Sequence, residues 1–372
     1  MQAQTYSILY AFQRKVDGGG PQAGLFLSPG GGLYGTTFLG GDPSCSCGTV
    51  FELLPNGAFT VLHEFTGPDG ANPAAALIAD GDGNLYGTTS QGGSGRPNDG
   101  TVFKLAPPVK EGAAWTETVL HTFKGGADGA NPYARLIRDR AGNFYGTTLA
   151  GGTFHNGTVF KLDATGKESP LYSFAGAPDG AHPYAGLVQD GEGNLYGTTL
   201  LGGAFNSGTV FQLDATGKER VLYSFSGQAD GAYPNADLIL DGAGDAYGTT
   251  NEGGDVAHHG TVFKLDNTGT LTVLYTFAGG NDGASPDAGL ILDESGNLYG
   301  TTTQGGNKDN NGTVFKLDKT GRLTLLHTFT AGLGGAYPYA SLVRDPAGNL
   351  YGTVVDVGPS GNGVVFKIAL AK

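Results

Sequence analysis

Apolar and polar residues along this chain fall into short runs that recur in a fixed order. Residues 288–329, AGLILDESGNLYGTTTQGGNKDNNGTVFKLDKTGRLTLLHTF, hold one whole cycle. It contains a small-then-aliphatic run, a turn of Asp, Gly and Asn, a Leu-Tyr-Gly-Thr-Thr run, a Gly-Gly loop, a Gly-Thr-Val-Phe-Lys-Leu run and a closing Leu-His-Thr-Phe. Short runs rich in Val, Tyr, Phe and Thr and bounded by Gly, Asp and Asn read as strands. The glycine of the Leu-Tyr-Gly run stands at 35, 87, 146, 197, 248, 300 and 352, so the period is 51 or 52 residues everywhere except between 87 and 146. That longer interval comes from an insertion around Pro107 to Trp115, which carries the only tryptophan and reads as a local packing device.

Four strand-like runs per cycle and seven cycles predict an all-β, seven-bladed β-propeller with four antiparallel strands in each blade. Crowding at the axis assigns the innermost strand to the run with the smallest residues, as in Ala23-Gly24, Ala75-Ala76, Ala185-Gly186 and Ala288-Gly289. The Leu-Tyr-Gly-Thr-Thr run follows, then Gly-Thr-Val-Phe-Lys-Leu, then the outer Leu-Tyr-x-Phe run. The chain opens on an outer run and ends on Gly363-Val-Val-Phe-Lys-Ile, so residues 6–12 are expected to complete the blade formed by 340–369. Residues 1–372 then make one propeller domain, expected as a monomer.

Composition sharpens this picture. The 68 glycines and 18 prolines would suit a disordered chain if they were aperiodic, but the strict period makes them turns. A net charge of -13 with only 21 Lys and Arg excludes a phosphate-backbone partner, so no nucleic acid is expected. No apolar run approaches the roughly 20 residues that span a bilayer, and Met1 to Gln4 carry no charged, apolar leader. Cys45 and Cys47, one residue apart, read as loop residues without a bridge and are too few for a structural zinc site.

Alternating strand direction sends the Asp-Gly-Ala-x-Pro loops and the Gly-Gly loops to one face, where they surround the channel mouth. The Asp of the first loop recurs in almost every cycle and reads as a turn residue accepting backbone N–H groups. Asp80 to Asn84 resemble a calcium loop but lack the later Glu of an EF-hand and read as a hairpin, so no cofactor is assigned beyond a minor calcium alternative. His63, His121 and His327 take the place of the outer-strand Tyr and read as half-exposed packing residues. His155, His182, His258 and His259 come from loops of different cycles, so no metal site is expected.

Departures from the repeat carry more information. After the small residue that opens the innermost strand stand Gly24, Ala76, Arg135, Gly186, Asp237, Gly289 and Ser341. After the loop proline stand Gln22, Ala74, Tyr133, Tyr184, Asn235, Asp287 and Tyr339. Aromatic rings beside amides and carboxylates suit sugars. The candidate ligand-binding residues are therefore Tyr133, Arg135, His182, Tyr184, Tyr233, Asn235, Asp287, Tyr337 and Tyr339. Asp237 and Glu252, at one end of the same hairpin, are the candidate carboxylate pair for glycoside cleavage.

Leu-Tyr-Gly-Thr-Thr-x-x-Gly-Gly, then Gly-Thr-Val-Phe-Lys-Leu-Asp-x-Thr-Gly, then Leu-Tyr-x-Phe and Asp-Gly-Ala-x-Pro resemble the GloVer tandem repeat of bacterial proteins that carry varied C-terminal surface anchors. The resemblance covers essentially the whole chain. It implies export and surface display but no reaction or ligand, and the end at Leu370, Ala371 and Lys372 shows no hydrophobic anchor tail. The expectation is an exported extracellular or cell-surface module that holds a glycan or another extracellular polymer. A polysaccharide hydrolase or lyase is the alternative.

Overall fold

Each blade is built on a glycine that makes room for a phenylalanine. In the computed structural model, Gly146 pairs with Phe160 across the second and third strands of its blade. A Cβ at Gly146 would lie 2.7 Å from Cζ of that ring. The ring therefore fills the space a side chain would need, and the same contact recurs in every blade, as at Gly35 with Phe51 and Gly352 with Phe366. The structure describes residues 4–94, 98–110, 112–330, 332–356, 358 and 360–370. Met1 to Ala3 and Ala371 to Lys372, the ends on which the leader and anchor expectations rest, lie outside the described residues.

Blades are numbered 1 to 7 by their second strands, from Leu33–Thr37 in blade 1 to Leu350–Val354 in blade 7. The described residues form seven four-stranded antiparallel sheets, each in the order innermost, second, third, outermost. Blade 3 runs Ile137–Arg138, Phe144–Thr148, Thr158–Leu162, Glu168–Ser173. In blade 7 the outermost strand is Thr5–Ala11, which pairs with Val364–Ala369 from the other end of the chain. The first strand thus closes the last blade, and the ring leaves no blade a strand short.

Neighbouring blades are joined by edge-to-face aromatic pairs. The buried Phe that follows each outermost strand meets the third-strand Phe of the next blade, as Phe123 with Phe160 at 5.1 Å and Phe225 with Phe263 at 5.2 Å between centroids. Phe329 to Phe366 and Phe12 to Phe51 carry the same contact through the closure. Such pairs contribute about 0.5–1.5 kcal/mol each beyond the area they bury. Trp115 of the insertion packs against the cluster that holds Phe65 and Phe103, as its reading as a packing residue implies.

Several details depart from the sequence reading. The innermost strands pair over only two residues, because the chain leaves the sheet to line the axis. Besides its four blade strands, blade 4 carries a two-stranded ladder in its loops, Gly180–Ala181 with Leu201–Gly202. Single 3-10 turns occur at Gly126–Asp128 and Gly332–Gly334. Cys45 and Cys47 form a disulfide rather than standing as free loop residues. Ser46 between them takes φ 55°, and that turn brings their Cα atoms to 5.2 Å, within bridging range.

Candidate functional site

The loop aspartates settle the geometry of the variable face. Asp179 accepts the N–H of Ala175 at 2.8 Å and the Tyr172 hydroxyl at 2.9 Å. Asp230 and Asp282 hold their loops through the same two kinds of donor, a backbone N–H and the outer-strand Tyr hydroxyl. Where histidine replaces that tyrosine, His63 reaches Asp69 at 3.0 Å and His121 reaches Asp128 at 3.1 Å. Those two histidines therefore hold the loop as well as pack. The last loop has Leu333 and Gly334 in place of Asp-Gly, and there the buried Nε2 of His327 has no hydrogen-bond partner. Burial pushes that imidazole down to about 4.

The turn aspartates are likewise occupied from within. Asp80 accepts the backbone N–H of Asp82 and of Asn84, the Asn84 side-chain amide and the Tyr86 hydroxyl, all within 3.0 Å. Third-strand lysines lie over second-strand tyrosines, as Lys161 over Tyr145 at 5.6 Å and Lys367 over Tyr351 at 5.4 Å.

On the variable face the two loop types pair with each other. Backbone bridges join Ala130 to Ala150, Ala232 to Glu252 and Ala284 to Gln304. The x residue of Asp-Gly-Ala-x-Pro adopts a left-handed conformation, with φ 56° at His182 and Tyr233 and 60° at Tyr337. His182 Nδ1 lies 3.0 Å from the carbonyl of Leu149, tying this loop to the preceding blade, and Asn131 does the same to Ser90 at 2.9 Å. His182 thus anchors its loop, and His182, Tyr233 and Tyr337 are not among the residues that line the axial cavity.

That cavity measures about 970 Å³ and is lined by innermost-strand residues of all seven blades. Six of the nine predicted ligand-binding residues reach it: Tyr133, Arg135, Tyr184, Asn235, Asp287 and Tyr339. Tyr133 and Tyr184 stack at 5.2 Å with 21° between their planes. Tyr184 is 37% exposed and Tyr339 48% exposed, which is high for rings of this size. Asp287 is deeply buried and accepts the side-chain amides of Asn235 and Asn251 and the Thr303 hydroxyl, at 2.6, 2.5 and 2.8 Å. Burial still pushes its carboxyl above the usual range.

One layer deeper, the Arg135 Nε donates to Asp237 at 2.6 Å. The same carboxylate accepts the backbone N–H of Gly186 at 2.6 Å. The two charged blades are joined across the uncharged blade between them. Gly186 permits this, because a Cβ there would stand 2.9 Å from Asp237 Oδ1 and 3.1 Å from Arg135 Cγ. Gly289 plays the same part for Ser341, whose hydroxyl accepts its N–H at 3.0 Å.

Asp237 therefore lines the cavity in an ion pair, whereas Glu252 is exposed in the Gly-Gly loop of its blade and does not line it. Residue-by-residue reading missed Asn251 and Thr303, although both are polar where Leu149 and Leu200 stand in blades 3 and 4. It also missed Phe154, Phe205 and Val256, all more than half exposed. These stand two residues after the Gly-Gly pair in three consecutive blades, a regularity the sequence does show.

Comparison with known proteins agrees with this architecture. Two extracellular domains from B. thetaiotaomicron, each assigned to a hybrid two-component system, superpose with TM-scores of 0.62 at 14% and 10% identity. The alignments cover 97% and 98% of this chain but only 41% and 39% of those chains, so this chain spans about two fifths of their length. A luciferin-regenerating enzyme superposes with a TM-score of 0.51 at 12% identity, over 99% of this chain and 95% of the enzyme. Identities this low speak for the fold alone. No curated protein matches the sequence. Among the described residues no helix is long and apolar enough to cross a membrane. The Gloeobacter/Verrucomicrobia repeat model matches residues 1–177, 95–259 and 241–372, and with the blade glycines, loop aspartates and closure accounted for, the chain belongs to that repeat family.

Proposed function

We propose that this chain is a glycan-binding module that works outside the cell, holding its ligand at the mouth of the propeller. The observation that carries this reading is the set of exposed rings, Tyr184 and Tyr339 with Tyr133 stacked behind, set around a cavity that also presents Asn235, Asp287, Arg135 and Asp237. Sugar faces stack on such rings while hydroxyl groups exchange hydrogen bonds with the amides and carboxylates beside them. The rings are exposed, whereas most polar groups below are already fixed by protein partners, and a prearranged polar floor binds without reordering. Binding rather than catalysis is favoured because the Asp237 carboxylate is neutralised by Arg135 and the Asp287 carboxyl is held by three side-chain donors.

An extracellular setting is supported by the Cys45–Cys47 disulfide, which persists in oxidising compartments, and by the export that the repeat family implies. The test is a titration of the protein against defined soluble polysaccharides, with reducing ends assayed in the same samples. Binding should occur without new ends, and Y184A and Y339A should each weaken it by roughly tenfold or more, the scale of one lost stacking contact. New ends that disappear in Asp237→Asn or Glu252→Gln would replace this reading with a hydrolase.

A further inference from the structure

The outer seam between blades 2 and 3 holds a cluster that the mouth does not use. His121 belongs to the outermost strand of blade 2, Thr116–Thr122, and Asp128 ends the turn that follows it. Glu168 is the first residue of the outermost strand of blade 3 and projects back toward both. One ligating atom from each of the three lies within 4.8 Å of the other two, and all three are partly open to solvent. His121 Nε2 stands 3.1 Å from Asp128 Oδ1, and Asp128 Oδ2 accepts the N–H of Lys124 at 2.7 Å, which fixes the carboxylate in place. Glu168 is half-buried beside Asp128, the two carboxyl groups close enough to share a hydrogen bond, while its Oε1 meets no donor from any other group.

The repeat itself says that packing does not require these residues. At the place of His121 the chain has Tyr172, Tyr223 and Tyr275, and at the place of Glu168 it has Leu271, Leu323 and Phe59, with Glu117 and Glu219 in the blades on either side. Two carboxyl groups held side by side, with only a shared proton to join them, are costly where leucine or phenylalanine serves in other blades. An imidazole nitrogen and two carboxylates form a ligand set for a divalent cation of the zinc type, with water completing the coordination. We propose that His121, Asp128 and Glu168 bind one such cation, which clasps blade 2 to blade 3. The His63, Asp69 and Glu117 seam has the same residue types but, unlike the first, no three-way approach of ligating atoms is found there. The next seam has Tyr172 in place of the imidazole.

The test is calorimetric titration of tag-free, chelator-stripped protein with zinc chloride, with thermal unfolding followed in parallel. One zinc per chain should bind and raise the unfolding temperature. H121Y and E168L install residues that the repeat already carries at those places, and each should weaken binding by at least roughly tenfold. H63Y and E117L should leave it unchanged. Should either blade 2 or blade 3 variant fail to fold by circular dichroism, Glu168→Gln, which keeps size and polarity, serves instead with the same expected loss. Absence of stoichiometric binding, or binding that survives H121Y and E168L, or binding lost in H63Y, would overturn the assignment.

Discussion

Threonine pairs show how single side chains hold a blade together. Thr148 and Thr158 face each other across the second and third strands with their hydroxyl oxygens 2.8 Å apart. Thr148 also donates to the Ala150 carbonyl and accepts the N–H of Thr158. The same pair stands in blades 1 to 6, whereas blade 7 has Val354 opposite Val364. Both members change together, because one hydroxyl left alone in the core is worse than none. T148V should therefore cost about 1–3 kcal/mol, the penalty of a buried polar group without its partner. The double variant T148V/T158V should cost less than the two single changes summed, by about 0.5 kcal/mol or more. Urea unfolding of the four proteins measures this coupling, and strict additivity would contradict it. This paired exchange was open to view in the sequence, since Gly-Thr-Val at residues 352–354 and Gly-Val-Val at 363–365 break the repeat at matching places. The ion pair of Arg135 with Asp237 was legible only as two charges near one mouth, because its bond across blade 4 depends on the missing side chain of Gly186.

The outermost strands carry the chain's unusual acids. Glu219 faces Asp179 and Tyr172 of the preceding blade, and burial first, then the Asp179 charge, pushes its carboxyl up to about 7. Glu117, beside His63 and Asp69, is also raised to about 7, again chiefly by burial. A carboxyl raised in the folded state binds protons that the unfolded chain releases, so the stability it allows is whole below the unfolded pKa near 4.5. That stability is lost as pH rises through about 7. His327 acts in the opposite sense and on the acid side, since its folded value near 4 lies below the ordinary 6.5. Unfolding midpoints measured at pH 5 and pH 8 should show the folded protein weakening toward pH 8, and E219L, which copies Leu271, should reduce that slope. An unchanged slope would contradict it. At this scale the strands and their order were legible from period and spacing. The register was less so: in all seven blades one extra residue, such as Leu171 or Leu222, bulges the outermost strand against the third. Only in blade 3 does a proline, Pro170, flank the bulge; elsewhere an ordinary leucine accommodates it without such a marker.

Over the whole molecule, the closed ring explains how a chain this rich in glycine makes a fixed site. Seven near-identical blades leave the mouth as the place where their differences meet, and those differences concentrate in blades 3 to 7. Tyr133, Tyr184 and Tyr339 surround the opening, Asp287 with its three side-chain donors forms part of its wall, and the Arg135–Asp237 bond spans the layer below. Positions two blades apart cannot be brought into contact on paper, but the circular order of the repeat places them around one axis, and that order was read from spacing alone. His182, Tyr233 and Tyr337, chemically suited to a ligand, stand in left-handed loop positions outside the cavity lining, a placement that the sequence does not reveal. The measurement that bears most directly on the account is a crystal structure of the protein with the tightest-binding oligosaccharide from the titration. Sugar density against Tyr184 and Tyr339 at the mouth is the predicted result, and density only on the blade edges or the opposite face would contradict it.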